Sequence, residues 1–137
     1  MDLKLELVII PVSDVDRAKQ FYVERAGFDL LVDGGTGLPG QRVVQVTPPG
    51  SACSVGFGTG LTGAEPGTQK WLHLVVSDIF AARDELTARG IEVGEVRHIA
   101  DGAWTPGPDP GHSDYMSFAE FRDPDGNLWV LQEVGRK

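Results

Sequence analysis

A β-α-β-β-β pattern runs through this chain twice, and that repeat limits the folds open to it more than any other feature. Residues 3–12 form an apolar, β-branched run that reads as a buried strand. Asp14 follows as a helix N-cap, since its carboxylate can accept orphan backbone N–H groups. Val15, Ala18, Phe21, Tyr22 and Arg25 then lie along one helical stripe, and Gly27 stands where a C′ residue ends it. Strands are predicted over 28–32, 41–46 and 52–57, with a loop over 33–40 and a turn at Thr47-Pro48-Pro49-Gly50. The order then repeats: a strand over 71–76, a cap at Ser77-Asp78, a helix over 79–89 ended by Gly90, and a strand over 91–97. A long loop over 99–116, a strand over 117–121, a turn at Asp123-Pro124-Asp125-Gly126 and a last strand over 128–133 complete it. Val12-Ser13-Asp14 returns 64 residues later as Val76-Ser77-Asp78, and Ala26-Gly27-Phe28 returns 63 later as Arg89-Gly90-Ile91. Thr47-Pro48-Pro49-Gly50 returns 76 later as Asp123-Pro124-Asp125-Gly126, so about a dozen extra residues fall in the 99–116 loop.

Length and charge narrow the function classes. With 137 residues the chain can bury one good core, too little for two ordinary domains. Gly 18 and Pro 9 favour many short strands and turns over a helical bundle. The net charge of −8 repels phosphate backbones, so nucleic acid is not an expected partner, and a neutral or cationic small molecule is easier to accept than a polyanion. One cysteine, Cys53, can form neither an internal disulfide nor a zinc cage, which fits a reducing, cytoplasmic setting. No apolar run reaches the roughly 18 residues of a membrane span, and the first apolar block, 7–12, is too short for a signal-peptide core.

The repeat resembles the vicinal oxygen chelate superfamily of glyoxalases, extradiol dioxygenases, fosfomycin-resistance enzymes and bleomycin-binding resistance proteins. The resemblance rests on Pro11-Val12-Ser13-Asp14-Val15-Asp16-Arg17-Ala18 with Phe21-Tyr22, on Gly27-Phe28, and on Phe121-Arg122-Asp123-Pro124-Asp125-Gly126-Asn127. It implies an α+β fold of two βαβββ modules forming an open eight-stranded cup that holds the ligand, in a chain that commonly pairs as a homodimer. Module one is expected over 1–58, a linker over 59–69 and module two over 70–137, together a single domain. Function does not follow from such a fold, because the family spans lyases, isomerases, dioxygenases, transferases and pure binders.

In members with a metal, the resemblance places His or Glu seven residues before each strand-end Asp and at the centre of each module's last strand. Those positions here are Leu7, Trp71, Val130 and, by the shift of 76, Ser54. Only the serine carries a donor, and a neutral hydroxyl is a poor divalent-metal ligand alone. Shifting by one residue reaches Glu6, Val8, Leu72, Cys53, Val55, Trp129 and Leu131, again without a His/Glu set. No metal and no cofactor are therefore expected. The bleomycin-binding branch, which holds its drug without metal or chemistry, becomes the nearer comparison.

Alternation along strands puts Leu7 and Ile9, Ser54 and Gly56, Trp71 and His73, and Val130 and Gln132 on the cup face. Trp71 reads either as a stacking platform for a planar ligand or as ordinary core. His73 reads as an acid/base, a hydrogen-bonding wall residue or a satisfied half-buried histidine. Gln132 could orient a ligand, and Gly56 and Gly58 either make room or mark a bend. The 99–116 loop offers Trp104, His112, Tyr115 and Met116, either as a lid over a flat ligand or as a surface excursion. His73, His98, His112 and Glu120 lack the spacing of a metal site, and Cys53 reads as a small hydrophobe facing the helix layer. The resulting expectation is a small-molecule binder that sequesters a natural product or drug, with a small aromatic or cationic ligand. A metal-free isomerase, cyclase or lyase using His73 is the alternative, and a metalloenzyme with relocated ligands the third.

Overall fold

Each half of the repeat folds as a strand, a helix and an antiparallel run of strands whose last member returns beside the first. The computed structural model describes residues 1–136. The chain divides into two compact units: Met1–Gln69 with Asp123–Asn127, and Lys70–Arg122 with the chain from Leu128 onward.

The first unit contains β1 (Leu7–Ile9), α1 (Val15–Lys19), a π-helical segment (Gln20–Arg25), β2 (Asp29–Gly34), β3 (Arg42–Thr47) and β4 (Ser54–Thr59). Its sheet runs β1-β4-β3-β2, with β1 parallel to β4 and the other pairs antiparallel. Asp14 caps the helix as expected, its Oδ1 accepting from the Arg17 N–H at 3.0 Å, and Gly27 leaves it at φ 77°. The strand expected over 3–12 is only three residues long, and residues 1–6 lie exposed outside it. Tyr22, Phe28 and Phe57 form the aromatic centre of this core, with ring centroids 5.6 and 5.5 Å from Tyr22. Val44 and Val46 pack beside them, fully buried.

The motif at 123–127 explains itself here. The buried Asp123 carboxylate accepts from the Tyr22 hydroxyl at 2.7 Å, the Asn127 side-chain amide at 2.8 Å and the backbone N–H groups of Asn127 and Asp125 at 2.9 and 3.0 Å. Asn127 donates also to the Pro11 carbonyl and accepts from the Gln69 N–H. Asp125 accepts from Ser13 and Arg17 at the start of α1. Gly126 closes the turn at φ 98°, a value that favours glycine.

The second unit contains β5 (Leu72–Val76), α2 (Ile79–Ala88), β6 (Arg97–Ala100), β7 (Ala103–Pro106), β8 (Phe118–Arg122) and β9 (Leu128–Glu133), in sheet order β5-β9-β8-β6-β7. Asp78 caps α2 through the Ala81 N–H at 3.0 Å, and Gly90 follows its end at φ 90°. Phe121 and Trp129 stack at 6.1 Å on the buried face with Ala119 and Leu131. Two expectations change. The strand expected over 91–97 is irregular, with a single bridge at Val93, and the regular strand begins at Arg97. The 99–116 segment is not one loop: Ala100 pairs with Ala103 across Asp101-Gly102, both at positive φ, in a tight two-residue hairpin. This adds a fifth strand to the sheet.

Replacing Asp123 by Ala leaves several buried donors without an acceptor and should cost about 3 kcal/mol or more, whereas Tyr22→Phe should cost about 1–2 kcal/mol. Urea unfolding with an unchanged m value checks both.

Candidate functional site

The functional geometry of the second unit follows from its register. Arg97 stands opposite both Pro106 and Phe118, Ile99 opposite Trp104, Glu120 opposite Val130, Phe118 opposite Gln132, and Val130 opposite His73. These side chains share the sheet face turned away from the Phe121–Trp129 stack. Trp104 is 48 % exposed, and Phe118 holds its indole edge-on, with centroids 5.5 Å apart at 88°. The Arg97 guanidinium lies over the same indole, 4.1 Å from its centroid, and donates to the Glu120 carboxylate. Beside them is an open groove of about 420 Å³ lined by Glu95, Arg97, Trp104, Thr105, Pro106 and Glu120, within the size range of small-molecule sites. Trp104, expected on a lid or a surface excursion, borders this groove; Arg97, Phe118 and Glu95, which lie beside it, had no signal in the sequence that set them apart. Glu120 was considered only as a metal ligand.

His73 and Val130 share a face as expected, but Val130 is 2 % exposed and offers little surface. Trp71 lies just before β5 at φ 65°, so strand alternation does not reach it, and the residue is 59 % exposed. The His73 ring donates from Nδ1 to the Trp71 carbonyl at 2.7 Å, which leaves Nε2 as the free basic nitrogen. In the first unit Leu7 is level with Ser54 and Ile9 with Gly56. A side chain at Gly56 would meet Ile9 and Leu7 at 3.1 and 3.2 Å, so these three do share one face. Ser54 is buried, its hydroxyl bonded to that of Thr47 at 2.6 Å. Cys53 is partly exposed, its thiol directed to the Ser54 carbonyl.

Tyr115 and Met116 are exposed on a segment that buried Glu133 anchors. The Glu133 carboxylate accepts from the Ile79 N–H at 2.9 Å and from His112 Nδ1 at 2.6 Å, with Arg136 at 3.5 Å. The Tyr115 N–H donates to the Glu133 carbonyl, and the Gln132 amide donates to the Tyr115 carbonyl at 3.2 Å. These bonds hold Tyr115 at φ 67°, a strained setting for an aromatic residue, of order 1–3 kcal/mol.

The residues do not fit a family-type metal. Leu7, Ser54, Trp71 and Val130 supply no imidazole or carboxylate. His98 is buried and bonded to the Gly107 carbonyl, His112 to Glu133, His73 to Trp71 and Glu120 to Arg97, so the four are not brought together. Among the described residues no group of three or more His, Cys, Asp or Glu could share one ion.

A model of the Glyoxalase/Bleomycin resistance protein/Dioxygenase superfamily matches residues 4–131. A glyoxalase/bleomycin resistance protein from Streptomyces sp. CB03234 is 34 % identical, with 95 % of this chain and 100 % of that chain covered and a TM-score of 0.72. TnmS3, an antibiotic binding protein from the same Streptomyces, is 32 % identical with 96 % of each chain covered and a TM-score of 0.73. The Bacillus subtilis (strain 168) protein YetH is 27 % identical over 128 residues, 92 % of this chain and 94 % of that one. The α+β arrangement described above is the fold of these solved neighbours. Among the described residues no helix is long and apolar enough to cross a membrane.

Burial raises the Glu133 pKa, but the Ile79 N–H, His112 and Arg136 together hold it below its ordinary 4.5. A carboxyl with a depressed folded pKa stabilises the fold above its unfolded value and loses that contribution as pH falls through the folded one. Stability should therefore fall as the pH drops below about 4.5, and Glu133→Gln should flatten that dependence while lowering stability at neutral pH; urea titrations across this range measure both.

Proposed function

Because the chain belongs to the Glyoxalase/Bleomycin resistance protein/Dioxygenase superfamily, whose members share a fold and not a chemistry, we propose a function from its own site: metal-independent capture of a small molecule. The bound compound is a natural product or drug, and resistance follows from stoichiometric sequestration. The groove beside the half-exposed Trp104 carries this reading, because it offers aromatic and apolar surface with a few placed polar groups. The description of the 32 % identical TnmS3 as an antibiotic binding protein supports it. A single cysteine agrees with a cytoplasmic protein.

One observation favours a second reading. His73 keeps Nε2 free while Nδ1 is tied to a carbonyl, the arrangement a general base needs, so a metal-free isomerase, cyclase or lyase is the alternative. Native mass spectrometry after incubation with a secondary-metabolite extract, followed by denaturing analysis of what is released, separates the two. Capture predicts an unaltered compound at one per site; a chemically changed compound supports catalysis. A divalent ion bound at one per site overturns metal independence. Under capture, Trp104→Ala weakens binding of the recovered compound roughly thirtyfold and His73→Gln leaves it intact.

The chain also acts as a homodimer in this reading. Both β1 and β5 are edge strands of their own sheets, and exposed Val75 and Trp71 mark the second edge as apolar. Light scattering coupled to size exclusion should give the mass of two chains, and a single-chain mass would sink the dimer.

A further inference from the structure

We propose that the Arg97 guanidinium stands in the place of the ligand, and that the groove selects a flat, charge-delocalised cation that displaces it. The inference rests on the capture reading and names the ligand class for that site. A guanidinium is itself a planar delocalised cation. Here it lies 4.1 Å over the Trp104 ring and donates to the Glu120 carboxylate, so the structure shows which kind of group this pair of residues holds.

The surroundings make the exchange feasible. Arg97 is a long side chain on β6, and about a third of its surface is exposed, so it can leave without moving the strand. The partners it leaves behind are fixed: Phe118 sits edge-on to Trp104, and Glu120 lies on the regular strand β8. The open groove beside them has room for rings that a guanidinium lacks. Its lining carries two carboxylates, Glu95 and Glu120, against one cation, Arg97. When Arg97 swings out, both carboxylates face the incoming cation, and the chain's net charge of −8 draws that cation in. A larger aromatic cation covers more of the indole than the guanidinium does, which favours the exchange. Arg97 then acts as an internal competitor: while it is in place, the apparent affinity is lowered by the fraction of molecules in which the site is open.

The test uses proflavine, a flat cation near neutral pH, and acridone, a neutral molecule of similar shape, each titrated by its own fluorescence against the full chain. Wild type should bind proflavine more tightly than acridone. Arg97→Ala, with Arg97→Gln as a second variant, should tighten proflavine about tenfold and acridone clearly less, because both dyes gain the uncovered indole and only the cation gains the unpaired Glu120 charge. Glu120→Gln should weaken proflavine and not acridone, and Trp104→Leu should weaken both. Weaker proflavine binding in both Arg97 variants would mean that Arg97 holds the ligand, and it overturns the inference. An equal gain for tetraethylammonium, followed by competition with proflavine, overturns planarity as the basis. Equal binding of both dyes, unmoved by Arg97→Ala, overturns the displaced cation and leaves capture of flat molecules standing. Binding of neither dye overturns the inference, and the extract experiment then decides the capture reading separately.

Discussion

A buried carboxylate with four donors around it carries the architecture of this chain. Asp123 sits at the end of β8 and gathers the Tyr22 hydroxyl, the Asn127 side chain and two backbone N–H groups. A buried carboxylate is costly unless it is hydrogen-bonded on every side, and this one is. The consequence lies in the chain path. The turn Asp123–Asn127 is part of the first unit, while β8 and β9 on either side of it are part of the second. The strands that carry Glu120 and Val130 therefore enter and leave a turn fixed by residues over a hundred positions earlier. Asp123 directly follows β8, and its carboxylate is taken up by donors of the turn and of Tyr22, so the motif is structural.

The parts of the fold that local chemistry dictates were legible. Asp14 and Asp78 each precede an apolar stripe and cap the helix that follows; Gly27 and Gly90 each end one at positive φ. The last strand, Leu128–Glu133, has the bounds expected for it. What was not legible depended on partners. Residues 91–97 have the apolar pattern of a strand, yet Val93 and Val96 are buried through irregular backbone, and the ladder starts only at Arg97. Asp101-Gly102 is a strong two-residue hairpin signal, and reading 99–116 as a single loop passed over it.

That hairpin also sets the geometry around Trp104. With β6 displaced and β7 absent, the register that sets Arg97 beside Phe118 and Trp104 could not be drawn, so the cation over the indole stayed hidden. The placement of Trp71 by alternation changes for a different reason. Alternation holds only where φ is extended, and at 65° Trp71 lies outside the strand whose periodicity was used to place it. Val130 shows a third limit: alternation assigns a face, and burial depends on what else covers that face.

The titratable groups of the second unit are spread across its sheet. Acid/base chemistry works best with two groups whose environments push their pKa values apart within reach of one substrate. On the open face of the second sheet His73 and Glu120 are separated by the whole of β9, so their backbones are roughly 10 Å apart. Glu120 is engaged by Arg97, and the other histidines are committed to the Gly107 carbonyl and to Glu133. Glu133 anchors the segment bearing Tyr115 and is closed to solvent. The groove offers a ring, a pair of opposite charges already in contact, the Glu95 carboxylate and space beside them. Such a set can exchange one planar cation for another with little reorganisation. A catalytic role for His73 would need a second titratable group within reach of the same ligand.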